Sequence, residues 1–236
     1  DDSKLAQRLC KEWGVENNVL YQTQEDYVNA LEDTFYALEE PRQGKSFPTY
    51  YNMNKFISSH DITVTLAGDG GDELFAGYKH HKDPDWRGKL KMLRINNRPL
   101  RNPELECSLD DQCMYLLEWL PKTQLSEDLL NDFMYIESFN ALAEDFLVRN
   151  DKLGMAFSME GRFPILNKRL RDYVRALPSE LKTDIEFVKK PKHKHKYLQK
   201  KAYEGLLPKY ILNHSKTGGR FPTDEILIGR ADQPAP

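Results

Sequence analysis

ITVTLAGDGGDELFAGY, residues 62–78, is the stretch on which the fold turns. Ile62-Thr63-Val64-Thr65-Leu66 is short, β-branched and bounded by polar residues, the pattern of a buried strand. It runs directly into a Gly/Asp-rich turn and then an apolar helix start. In open α/β sheets, ligands bind beyond the carboxyl ends of the strands, where a glycine-rich turn lets backbone amides approach phosphate. Gly68, Gly70 and Gly71 meet that need. Asp69, Asp72 and Glu73 crowd negative charge at the same place, which is tolerable when a hard cation such as Mg2+ bridges carboxylate and phosphate oxygens. The same residues also read as a solvated turn whose acids meet a helix dipole. Neither EF-hand nor P-loop spacing is present.

Upstream, Leu5, Leu9, Cys10 and Trp13 recur at helical spacing until Gly14, and Val19-Leu20-Tyr21 reads as a short strand. Residues 27–38 return to helical periodicity, 41–48 read as a loop, and 50–59 as a further helix. Helices alternating with strands imply a parallel sheet. After Tyr78 no comparable strand pattern is visible, whereas 112–120, 129–147, 168–177 and 196–207 read as amphipathic helices. Residues 86–103, rich in Arg, Lys, Asn and Pro, mark a loop or lobe junction. The expected architecture is therefore α/β: a partial parallel sheet in residues 1–88, a mainly helical part in 89–228, and a tail at 229–236.

Composition narrows the function classes. The 236 residues, 39% hydrophobic and 30% charged, can bury a core. The longest uncharged apolar stretch, 62–68, is far short of the roughly 20 residues that span a bilayer. Three cysteines without CxxC spacing (Cys10, Cys107, Cys113) argue against a disulfide framework and a zinc ribbon, and fit a reducing cytoplasmic setting. A net charge of −3 gives no general pull towards nucleic acid. The lysine-rich run 189–201 reads as a polyphosphate-attracting or solvated segment. His80 with His81, and His193 with His195, could bind a metal adventitiously, but no carboxylate or Cys spacing completes a site. Asp1 to Lys4 lack the layout of a secretory signal, no starting Met is present, and the chain is expected to begin within a longer protein.

Two further segments carry chemistry-bearing residues. RNDKLGMAFSMEGRFPIL (149–166) interleaves Asp151, Lys152, Glu160 and Arg162 with core-like residues; Glu160 and Arg162 also read as a helix-end ion pair, with Pro164 ending the element. LNHSKTGGRFP (212–222) places Lys216 before two glycines, where an ammonium reaches a polyphosphate or simply meets solvent.

Taken together and in this order, TLAGDGGDELFAGY, LVRNDKLGMAFSMEGRFPIL and LLPKYILNHSKTGGRFP resemble the synthetase domain of asparagine synthetases and their relatives among class II glutamine amidotransferases. The resemblance spans roughly residues 1–227 and includes the stretch 39–51. It implies a sheet of the adenine-nucleotide alpha-hydrolase-like (PP-loop) type. It also implies an ATP- and Mg2+-dependent ligase that converts aspartate to asparagine through β-aspartyl-AMP, with ammonia from a glutaminase domain of the same polypeptide. A homodimer is compatible with it. Carried over, Asp72 holds Mg2+, and Ala67, Gly68, Gly70 and Gly71 approach the nucleotide. Asp69 stands at the general-base position, where many relatives have Glu, and Asp151 is its acidic partner. Lys216 stabilises the leaving pyrophosphate, and Glu160 and Arg162 belong to the substrate-side signature.

The departures are as specific as the matches. The family's Ser-Gly-Gly-x-Asp-Ser loop and the glutaminase nucleophile do not occur here and are expected upstream, so the chain by itself is expected to be inactive. Two other readings stay open: a noncatalytic synthetase-like scaffold, and a β-lactam-synthetase-like ligase, whose members favour Tyr where this chain has Asp69.

Overall fold

The structure is a computed structural model that describes residues 2–40, 44–82, 128–183 and 195–214. The expected elements at 86–103 and 112–120, the lysines at 189–194 and the loop carrying Lys216 lie outside the described residues. The described residues of Asp1–Thr65 and Arg149–Arg162 form one compact unit, and those of Leu66–Val148 and Phe163–Ser215 form the other.

In the first unit, the helix Asp2–Trp13 ends as expected at Gly14, whose φ of 65° is the left-handed geometry that glycine adopts without a Cβ penalty. Val19-Leu20-Tyr21 is not a strand: it has no ladder partner among the described residues, and Tyr21 is largely exposed. The periodic run after it is two helices, not one. Thr23 closes a capping box with Asp26 that starts Gln24–Asn29, and Ala30 (φ −84°, ψ −8°) caps that helix while opening Leu31–Leu38. Helix Phe47–Ser58 begins inside the expected loop, because Pro48 occupies the first turn, where its missing N–H loses no helical bond. Leu38, Phe47 and Leu153 form the core of this unit, with Ala37, Tyr50 and Tyr51 packed against them.

The sheet joins Val64–Leu66 to Glu160–Arg162 in parallel, with the Glu160 amide donating to the Thr63 carbonyl at 2.8 Å. Two expectations fail here. The first strand is exposed, Leu66 to 74%, because it has a single neighbour among the described residues. Glu160 and Arg162 lie on a strand, not at a helix end; the helix Val148–Met155 has already stopped, and Pro164 opens the single 3-10 turn Pro164–Leu166. Three residues of alternating charge and glycine carry no period-2 hydrophobic signal, so no strand was readable there.

The described residues of the second unit are mainly helical. Asp128 caps Leu129–Glu137, and the π-helix Ser138–Leu147 follows where a continuous α-helix was expected. Asn167 caps Lys168–Ala176, and the shorter helices Ser179–Lys182, Tyr197–Ala202 and Lys209–Leu212 follow. A polar clasp fixes their order. The Asn131 amide donates to the carbonyls of Arg175 and Leu177, Asp128 accepts from the Ser179 amide, and the buried Lys182 ammonium donates to the Asn131 side-chain oxygen. Leu74, Phe75 and Val174, with Ile165, Leu166 and Leu198 against them, form a core directly behind the Gly/Asp turn. That core makes the turn a fixed surface.

Candidate active site

Gly70 begins the chemistry by backbone geometry. Its φ of 88° is left-handed, and a Cβ there would overlap the Leu166 side chain, so the turn closes onto the core only with glycine. The helix that follows is a single turn, Gly71–Leu74, and the Gly71 amide is engaged within the turn by the Gly68 carbonyl at 3.4 Å. Phosphate binding by a long helix dipole is therefore not what this turn offers. It offers side chains.

Gly68, Asp69, Gly70, Asp72, Glu73, Tyr78 and Phe146 line a recess of about 190 Å³. Of the expected site residues, Gly68, Asp69, Gly70 and Asp72 meet there, whereas Ala67 and Gly71 are adjacent in sequence but are not lining residues. The recess is smaller than the roughly 300–1,000 Å³ of a drug-sized small-molecule site. It suits one polar end of a ligand.

The three acids are not equivalent. Glu73 is buried and accepts a 2.5 Å hydrogen bond from the Tyr78 hydroxyl. Burial pushes the Glu73 carboxyl above its ordinary pKa against the opposing pull of that bond, and burial likewise pushes the Tyr78 phenol up, so the pair is a neutral-leaning wall. Asp69 and Asp72 remain as the charged pair.

Sequence reading missed the cation that meets Asp72. Lys196 Nζ lies 3.2 Å from Asp72 Oδ2, with both side chains about three-quarters buried. Gly77 makes this approach feasible: a Cβ there would overlap the Asp72 carboxylate and come 2.7 Å from Lys196 Cε. The lysine run 189–201 was a visible signal, but composition alone does not distinguish one anchored lysine from its solvated neighbours. The residue itself stands out through its backbone, since Lys196 is left-handed (φ 58°) immediately before the helix Tyr197–Ala202.

Asp151, Glu160 and Arg162 belong to the other unit. Asp151 is exposed in the first turn of Val148–Met155. Glu160 and Arg162 pair at 3.0 Å in solvent, the hydrogen bond from Arg162 lowering the Glu160 pKa. Nearby, Lys152 donates to the Leu38 carbonyl at 2.7 Å and to Glu39 at 3.0 Å, and the Arg149 guanidinium stacks 4.1 Å over Tyr50. These contacts tie residues 149–152 to the stretch 38–50.

The expectation that His80 and His81 lack a carboxylate is overturned: Glu137, far away in sequence, lies 2.7 Å from both rings. No helix among the described residues is long and apolar enough to cross a membrane.

Comparison with known proteins gives a family. The family model described as asparagine synthase matches residues 1–232. The chain is 27% identical over 259 residues to asparagine synthetase [glutamine-hydrolyzing] 1 of Bacillus subtilis (strain 168), covering 92% of this chain and 40% of that protein. It is 25% identical over 217 residues to asparagine synthetase [glutamine-hydrolyzing] of Gallus gallus, covering 89% of this chain and 30% of that protein. The match with asparagine synthetase [glutamine-hydrolyzing] 2 of Lotus japonicus is 22% over 223 residues, covering 91% and 30%. The chain belongs to the asparagine synthase family. It spans between 30% and 40% of the length of these relatives.

Proposed function

We propose that this chain is the catalytic synthetase part of an ATP-dependent amide-forming ligase, built on a sheet of the PP-loop type, that makes asparagine from aspartate through β-aspartyl-AMP. In the first step an aspartate side-chain oxygen bonds to the α-phosphorus of ATP and pyrophosphate leaves. Ammonia then attacks the acyl carbon and AMP leaves. The proposal extends to a glutaminase domain of the same polypeptide as ammonia source and to a cytoplasmic setting.

One observation carries it: in a member of this family, Asp72 and Lys196 form a partly buried pair beside an acid-lined recess sized for a phosphate end. The donor set fits Mg2+, which is held by one or two carboxylates together with substrate phosphates; Asp72 is the ligand and Asp69 stands beside it in the recess. Bound there, Mg2+ supplies Lewis-acid charge to the polyphosphate oxygens. Lys196 is a fixed cation for the negative charge that builds on departing pyrophosphate, a role that needs no reorganisation during the step. Lys216, shortly before Gly218 and Gly219 in the sequence, is the second candidate for that charge. By the family resemblance, the role of taking the proton of the attacking amine is assigned to Asp69, and contact with the amino-acid substrate to Asp151, with Glu160 and Arg162.

Aspartate-dependent exchange of labelled pyrophosphate into ATP by the full-length polypeptide tests this reading. Magnesium-dependent exchange with aspartate is the expected result. Exchange that responds to another carboxylate and not to aspartate refutes the substrate, and no exchange with any carboxylate refutes the ligase.

A further inference from the structure

His80 and His81 are consecutive residues of the 3-10 turn Lys79–Lys82, and Glu137 ends the helix Leu129–Glu137. Their side chains converge. His80 Nε2 lies 2.7 Å from Glu137 Oε1 and His81 Nε2 lies 2.7 Å from Oε2, and the three donor atoms fall within 4.8 Å of one another. The His81 and Glu137 side chains are 0% and 4% exposed, whereas His80 keeps 20%, which leaves one approach from solvent. The surroundings hold the rings in place: His80 stacks on Tyr78 at 5.0 Å, and both imidazoles meet Phe133 edge-on at 5.7 and 6.0 Å.

We propose that His80, His81 and Glu137 bind a divalent transition cation of the zinc class, with the fourth position open to water. Two imidazole nitrogens and one carboxylate are a donor set that suits zinc and disfavours magnesium, which demands oxygen ligands.

A tetrahedral ion about 2.0–2.1 Å from each donor sets the donors about 3.3 Å apart. The 2.7 Å contacts must therefore open by roughly half an ångström, a small tilt of the two rings. The Tyr78 amide donates to His81 Nδ1 at 3.3 Å, so without metal the His81 proton sits on Nε2 and is donated to Glu137. Binding at Nε2 moves that proton to Nδ1 and gives up the long Tyr78 contact. The cluster is thus a hydrogen-bonded trio that exchanges its protons' positions for a cation. Because Tyr78 also donates to Glu73, the trio stands directly behind the wall of the acidic recess.

The test is titration of the chelator-treated full chain with Zn2+ alone, in competition with a chromophoric indicator, and with Co2+ followed by visible absorption. One equivalent is expected, with Co2+ bands of four-coordinate intensity. His80→Asn, at the solvent-facing ligand, is expected to weaken binding by more than about tenfold. Asp72→Asn, in the acidic recess, is expected to leave it unchanged. No tight equivalent in the wild type, binding that survives His80→Asn, or binding that is lost with Asp72→Asn overturns the site. Should His80→Asn not fold, ring 15N shifts of the wild type decide: movement of the His80 and His81 Nε2 signals on adding Zn2+ supports the site, and unmoved signals refute it.

Discussion

Replacing Lys196 by Met separates a structural lysine from a functional one, because the two roles differ in magnitude by orders. As an ion pair, Lys196 and Asp72 sit 3.2 Å apart with 27% and 23% of their side chains exposed. Solvent at that level of exposure limits such a pair to about 1 kcal/mol of stability. For a chain of 236 residues, that corresponds to a fall of roughly 2–4 °C in Tm. As a preorganised donor to departing pyrophosphate, the same ammonium is worth about 10²- to 10³-fold in rate. Lys196→Met is therefore expected to lose at least about a hundredfold in aspartate-dependent ATP–pyrophosphate exchange while melting within a few degrees of the wild type. Both are measured on the full-length polypeptide, the first by label exchange and the second by calorimetry. A loss below about tenfold with an intact Tm would refute the role given to Lys196 and return it to Lys216.

Gly77→Ala is expected to push apart Asp72 and Lys196, since the new methyl overlaps the carboxylate; exchange activity should fall by an amount similar to Lys196→Met, read in the same assay. Tyr78→Phe removes the hydroxyl that donates to buried Glu73 and should destabilise the chain by about 1–3 kcal/mol in urea titration. Burial lowers the Lys182 pKa from 10.5 to about 8, so between those values the unfolded chain binds more protons and stability rises with pH. After allowance for solvent screening, the gain is on the order of 2 kcal/mol, and Lys182→Met should abolish it, as urea midpoints at pH 7.5 and 10 would reveal. Asp72→Asn is expected to weaken ATP binding in magnesium and to strengthen it in chelator, measured by calorimetric titration of the two conditions.

Local signals made part of this molecule legible. The Gly/Asp turn was visible through its glycines and acids, and Gly70 and Asp72 line the recess. Helices with strong periodicity, such as Lys168–Ala176, were readable to within a residue. Pairing at a distance was not legible. Glu160–Arg162 is a strand because Thr63 offers it a carbonyl, and nothing in Glu-Gly-Arg states that. Lys196 reaches Asp72, and Glu137 reaches two histidines, across gaps of more than fifty residues that no periodicity spans. Sequence-adjacent spacing is a sound rule for compact metal loops and fails when a fold supplies the missing ligand from another helix.

The opposite signs expected for Asp72→Asn follow from the charge balance of the recess. A polyphosphate brought against Asp69 and Asp72 meets carboxylates at close range, and each contact at about 4 Å repels by about 4 kcal/mol at an effective dielectric of about 20. Lys196 is a single positive charge already paired with Asp72, so it offsets one acid and leaves the other opposing the ligand. Glu73 adds less to the repulsion, because burial favours its neutral form against the opposing pull of the Tyr78 bond. The remaining imbalance has the sign and size that a divalent cation removes. Asp72 therefore repels the nucleotide when metal is absent and recruits it when metal is present, and deleting its charge must shift the two affinities in opposite directions. A purely structural Asp72, present to hold Lys196 in place, would weaken both.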